Sequence, residues 1–166
     1  NRMLIGFDEN DVPHLRVEQR ILPAGPSIID MIANAAFYYG LVRVLAGLSV
    51  APESQLAFAT ARNNFYLCAR YGLDAQVVWL DGRRKRVADL LLHELLPLAG
   101  EGLTALGLAA ADIKRYLHVV EGRLRSGQNG AVWQLAHHAK YHDYQRLTAD
   151  YLDQQRRLTP VHEWPI

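Results

Sequence analysis

Between His14 and Phe37 the sequence changes its hydrophobic period, and that change limits the fold more than any other feature. From His14 to Ile21 the residues alternate. His14, Arg16, Glu18 and Arg20 project to one side and Leu15, Val17 and Ile21 to the other, with Gln19 as the exception. Period two predicts a half-buried strand, because successive strand side chains point to opposite faces. The segment "PAGPS" breaks it, and an apolar helix follows. Ser27 and Asp30 predict an N-cap with an acidic residue in the first turn, where the helix dipole favours negative charge. The chain thus joins an ionic strand face to an apolar helix. Facing water, that face is ordinary surface; facing a cavity, it is a site.

Helix one extends to about Leu48, and Ile28, Ile32, Ala35, Ala36, Tyr39, Val42, Val44 and Leu45 are too many for one narrow stripe, which predicts burial on most sides. Ala51 and Pro52 open a second helix that ends at Gly72. "AQVVWLDGRRKRV" predicts a small hairpin with a two-residue Asp81-Gly82 turn. A third helix covers Val87 to Leu106, where Pro97 must kink or split it. A fourth takes Ala110 to Arg125 and a fifth Gly130 to Arg157. The tail "TPVHEWPI" is expected to be extended, with Trp164 on the body of the protein. The fold class is therefore mainly α: about five helices with one N-terminal strand and a short hairpin, residues 1–166 forming a single unit.

Half the 166 residues are apolar and 21% are charged, which suits one packed domain and excludes disorder. Eighteen Lys and Arg against seventeen Asp and Glu give a net charge of +1, with "GRRKR" the only dense basic run. A broad nucleic-acid-binding face is not expected. Arg83, Arg84, Lys85 and Arg86 read as a solvated turn or, alternatively, a local anion contact. Cys68 is the only cysteine, which fits a reducing, cytoplasmic setting. No uninterrupted apolar run reaches the roughly 18 residues of a membrane span, so no membrane partner is expected. The strand from Arg16 to Ile21 lacks a good local partner, and an unpaired buried strand is costly. Together with a first residue, Asn1, that is not methionine, this leads to the expectation of a larger parent or a processed product.

Three constellations can carry chemistry. Arg16, Glu18 and Arg20 lie about 6.5 to 7 Å apart on one strand face, a spacing that can hold a carboxylate between two guanidinium groups or let it reach a metal beside a phosphate. The bland reading is a salt-bridged edge strand. In "ARNNFYLCARYGLDA", Arg62, Tyr66 and Arg70 stand at i, i+4 and i+8 and form one cationic and aromatic ridge, with Asp74 beyond the helix end. In "RSGQNGAVWQ", Gly127, Gln128, Asn129 and Gly130 separate two helices. Asn129 reads as an N-cap, and the free N–H groups of the next helix favour an anion. His138 and His142 are four apart on a helix, but no third ligand accompanies them in sequence. Nothing marks Cys68 as an activated thiol.

Taken in order, "RVEQRILPAGPSIIDMIANAAF", "ARNNFYLCARYGLDA" and "GQNGAVWQ" resemble the C-terminal part of the glutamate-cysteine ligase-like carboxylate-amine ligases, and "PVHEWP" resembles the end of a bacterial subgroup. The resemblance implies a parent related to the glutamine synthetase fold, with an antiparallel sheet curved around the active site and backed by helices. It implies that ATP with Mg²⁺ phosphorylates a carboxylate, of the γ-glutamyl type, and that an amine then displaces phosphate. It makes Glu18 a metal or nucleotide contact and Arg20 a phosphate or carboxylate contact, with Arg16 beside them. Arg62 and Asn64 become candidates for substrate contact or for bracing the site, with Arg70 a buried partner of Asp74, and Gln128 and Asn129 further substrate-binding candidates. Relatives often have Glu where Asn63 stands and Trp where Tyr66 stands, departures that bear on substrate specificity. The resemblance also implies that this portion is inactive without the remaining strands, its partners being the rest of the ligase domain or a second copy, and a small amino-acid substrate. The competing expectation is a non-catalytic helical interaction or regulatory module.

Overall fold

The computed structural model describes residues 2–20 and 24–166 and is mainly helical, with two two-stranded antiparallel sheets. The first corrects the expectation of a lone strand. β1 (Arg2–Phe7) pairs with β2 (Pro13–Glu18), placing Arg2 opposite Glu18, Leu4 opposite Arg16 and Gly6 opposite His14. "RMLIGF" hides its period because only Arg2 is charged and Leu4 and Gly6 share its face. Asp8 closes the turn, its carboxylate accepting from the N–H groups of Asn10 and Val12 at 2.8 and 3.0 Å. Ile21 and Pro23, which the sequence places in the strand and in the breaking turn, lie outside the described residues.

α1 (Ile28–Leu45) starts as its cap predicts: Ser27 Oγ accepts from the Asp30 N–H at 3.3 Å and donates to Asp30 Oδ2 at 2.7 Å. It packs on α5 (Leu96–Ala105) through small residues: Ala33, Ala36 and Gly40 meet Ala99, Gly102 and Leu103. Gly40 and Gly102 approach so closely that a Cβ on either would strike backbone of the other helix. α6 (Ala110–Ser126) closes this cluster with Leu117, Val119 and Val120. α1 is not buried on most sides as expected. The close stripe brings in only small residues, which leaves Ile28 60% and Tyr39 61% exposed. By length and mean hydropathy α1 is also long and apolar enough to cross a membrane, although Asp30, Asn34 and Arg43 interrupt its apolar residues. Here it is the central packing helix.

The second expected helix is two. α2 (Pro52–Gln55) ends where Gln55 Nε2 donates back to the Val50 carbonyl at 2.7 Å, Leu56 is extended, and α3 (Phe58–Tyr71) begins after it. β3 (Gln76–Val78) and β4 (Arg84–Arg86) form the expected hairpin. Its loop has three residues rather than two. Trp79 N–H donates to Arg83 O and accepts at its own carbonyl from Gly82 N–H, and Gly82 takes the positive φ of 72° that this turn needs. α4 (Val87–Leu90) runs into α5 through a π turn, Leu91–Leu95. Pro97 explains it: a regular turn would drive the ring into the carbonyl four residues back, and a wider turn moves that carbonyl aside.

The fifth expected helix is also two, α7 (Gly130–Tyr141) and α8 (Tyr144–Arg157). His142 sits at φ 53°, and Asp143 caps α8 by accepting from the N–H groups of Gln145 and Arg146 at 2.8 and 3.0 Å. The tail is not extended throughout: it forms a 3-10 turn, Val161–Glu163, and buries Val161 and Trp164 against Trp133 and Tyr151.

Candidate functional site

Glu18 ends β2 beside a groove of about 560 Å³ that it lines with Val17, Gln19, Ala35, Tyr38, Tyr39 and Val42, so the strand meets the outward face of α1 there. Glu18 Oε1 accepts from Arg20 Nε at 2.9 Å. His14 and Arg16 lie farther along the same ribbon face, where both fold over Gly6. Arg16 is exposed and makes no ion pair among the described residues. Gln19 Oε1 is buried and has no hydrogen-bond partner among the described residues. The groove therefore offers one carboxylate, one orphaned amide oxygen and two tyrosine rings. No group of three or more metal-ligating side chains is found among the described residues.

α3 separates its candidates. Arg62, Tyr66 and Arg70 point outward as an exposed ridge, and no element among the described residues covers it. Asn64 turns inward and mimics a strand: its Nδ2 donates to Val78 O at 2.7 Å, and its Oδ1 accepts from Val78 N–H at 3.1 Å. It braces the β3 edge. Arg70 is not the buried partner of Asp74. Arg86 pairs with Asp74 at 2.7 Å, and Arg70 lies 5.2 Å from the Tyr71 ring centroid. The reason is reach, since β4 runs directly past the 3-10 turn that holds Asp74. In the basic run Arg83 and Arg84 are solvated, while Lys85 bonds Asp81 and Glu94, both at 2.8 Å, which raise its pKa.

Asn129 caps α7, accepting from Val132 N–H at 3.0 Å, and Gln128 Nε2 donates to the carbonyls of Val161 and Trp164 at 2.8 and 2.9 Å. Both side chains are thus engaged in structure. Among all the candidates, direct bonding joins only Glu18 to Arg20. Cys68 is half-buried, and burial pushes its thiol pKa up, away from an activated thiolate.

Sequence reasoning missed two buried polar centres. Asp30 is fully buried with Arg123 Nε 3.7 Å away, and Arg123 also donates to Asn34 Oδ1 at 2.8 Å. Burial lowers the Arg123 pKa and Asp30 opposes that. The second is His137, buried against Trp133, its Nε2 2.8 Å from Asp150 Oδ2 in a cavity of about 300 Å³. The i, i+13 spacing of that pair crosses the unforeseen α7–α8 break, so helical periodicity could not have found it.

No family model matches the chain, and neither curated proteins nor solved structures give a significant match.

Proposed function

We propose that this chain supplies one active-site strand and the helical backing of an ATP-dependent carboxylate-amine ligase that makes an amide of the γ-glutamyl type. One observation carries the reading. The ribbon places His14, Arg16 and Glu18 on one face and Met3, Ile5, Phe7, Leu15 and Val17, each 61% to 69% exposed, on the other. A two-stranded ribbon is marginal in water, and an apolar face of this kind marks a surface that another element covers. Further strands and helices would cover it and leave the ionic face toward a cavity. The three sequence blocks described above point to the same parent.

In such a ligase a carboxylate oxygen takes the γ-phosphoryl group of ATP and ADP leaves. The amine nitrogen then attacks the acyl carbon, phosphate departs, and the amine gives up a proton. Arg16 and Arg20 suit the phosphate oxygens, because guanidinium groups match them in charge and geometry. Magnesium would neutralise phosphate charge. It commonly takes one or two protein carboxylates plus phosphate and water oxygens, and Glu18 is the carboxylate that lines the groove.

The test is phosphate release by the full-length polypeptide that carries these residues, supplied with Mg-ATP, glutamate and an amine. Release should require all three, and Glu18→Gln should lower kcat by about 10²-fold or more. Residues 1–166 alone should release none; release by that chain would remove the incomplete-site reading. A folded, fully active Glu18→Gln enzyme would overturn the site assignment. The second reading, a non-catalytic module that self-associates, draws on the same apolar face. It requires ribbon amides whose exchange protection rises with protein concentration and ignores Mg-ATP.

A further inference from the structure

We propose that the C-terminal strap, residues 159–166, is a pH-sensitive clasp that holds the linker leading into α1, at its described residues 24–27, and opens when His162 takes up a proton. This stands apart from the ligase reading. The strap is stitched to α1, to α7 and to the turn between α6 and α7. Val161 N–H donates to Asp30 Oδ2 at 3.0 Å, Gln128 holds two strap carbonyls, Trp133 Nε1 donates to Pro165 O at 2.9 Å, and Lys140 Nζ to Ile166 O at 2.7 Å. The linker ends at the same node: Ser27 donates to the same Asp30 oxygen, and Pro26 lies where a Cβ on Gly130 would be.

His162 is the pivot. Its ring rests on α6 at Gly122, in space that any larger residue there would fill, and its side chain is 12% exposed. Its Nδ1 is buried with no hydrogen-bond partner among the described residues, so an added proton would have no acceptor there. The charged groups around it oppose one another. Asp30 of α1 and Glu163 of its own turn, 3.7 Å away, favour a proton, while Arg123 and His118 of α6 disfavour it. Glu121 of α6 lies 3.8 Å from His118, and Tyr151 of α8 packs on Trp164. Burial decides the balance and lowers the docked His162 pKa below its ordinary value. The sign follows: docking has its full strength above the ordinary imidazole pKa and weakens as pH falls from there through the lowered value.

Amide exchange of the full chain, corrected for intrinsic rates, is compared at about pH 7.5 and about pH 5.5, on either side of an ordinary imidazole. Strap amides should lose protection at the lower pH, by up to about tenfold for each pH unit crossed between the two pKa values. Residues 26–34 should follow. His162→Gln should hold its protection constant between the two pH values. Glu163→Gln, which removes the nearest anion from an exposed position and leaves the core intact, should deepen the loss. Equal wild-type protection at both pH values, the same loss in His162→Gln, or a shallower loss in Glu163→Gln would each overturn the proposal.

Discussion

Replacing Asp30 by alanine removes an acceptor from a place that water does not reach. Oδ2 takes two hydrogen bonds, from Val161 N–H at 3.0 Å and Ser27 Oγ at 2.7 Å, and Oδ1 faces Arg123 Nε at 3.7 Å, too long for a hydrogen bond. Truncation leaves the Val161 N–H unpaired, which costs about 1–3 kcal/mol. It also strips Arg123, 14% exposed, of its counter-ion, and breaking a buried pair from one side costs about 3–5 kcal/mol. The two losses share one site and do not add, and Arg123 keeps its bond to Asn34. The expected net cost is therefore about 3–4 kcal/mol. Asp30→Asn loses the same counter-ion but keeps an acceptor for Val161, so it should cost less than Asp30→Ala by about the 1–3 kcal/mol of the unpaired N–H. Urea unfolding followed by fluorescence of the buried Trp133 and Trp164 measures both. A cost for Asp30→Ala below about 1 kcal/mol, or equal costs for the two variants, would refute the account of this node.

Two glycines two residues apart on α5 should respond in opposite directions. Gly102→Ala puts a methyl into the Gly40 backbone and should destabilise by about 1–3 kcal/mol, whereas a Cβ at Gly100 meets only Leu117 Cδ1 at 3.5 Å, so Gly100→Ala should stabilise by up to about 1 kcal/mol through helix propensity. Thermal melts of the pair check this. Asn64→Ala removes both bonds to Val78 and should cost about 1–3 kcal/mol with faster exchange of the Val78 amide, while Arg62→Ala, on the exposed ridge, should stay within about 0.5 kcal/mol. Hydrogen bonding to His137, with a smaller contribution from Arg146, lowers the Asp150 pKa. The stability it contributes is present above the ordinary carboxylate pKa and lost as pH falls through the lowered one, so Asp150→Asn should flatten the acid limb of a Tm against pH curve.

Much of the fold was legible because its signals are local. Ser27 and Asp30 announce a cap, Asp81 and Gly82 a turn, and Pro97 a defect, and each interaction spans only a few residues. The breaks at Leu56 and His142 were not legible. Both fall within apolar or amphipathic stretches that would continue a helix, and they are fixed by a Gln55 side chain folding back and by an Asp143 cap at a position with no glycine or proline to flag it. β1 was hidden because its outward face carries Leu4 and Gly6 where charge would have shown the period. Of the candidate site, the ionic alternation of β2 was readable, and the partner of Asp74 was not, since Arg70 and Arg86 are equally cationic and only the hairpin register brings Arg86 alongside.

The outward side of α1 ties these observations together. Small residues at Ala33, Ala36 and Gly40 draw α5 against one side, Ile29, Phe37 and Leu41 pack at its edges, and Ile28, Ile32, Tyr39 and Val42 are left exposed on the other. The groove beside Glu18 opens on that side, and the apolar face of the ribbon is exposed as well. Burying apolar surface is the main favourable term in folding, so two such faces on one small chain are a reason for them to acquire a common cover. A sheet that extended the ribbon would lie over α1, and the ionic face would then be the concave one. If cysteines placed at Leu15 and Tyr39 failed to crosslink in the proposed parent while Gly102→Ala showed the loss of stability expected of the α1–α5 contact, that packing would stand and this cover would not.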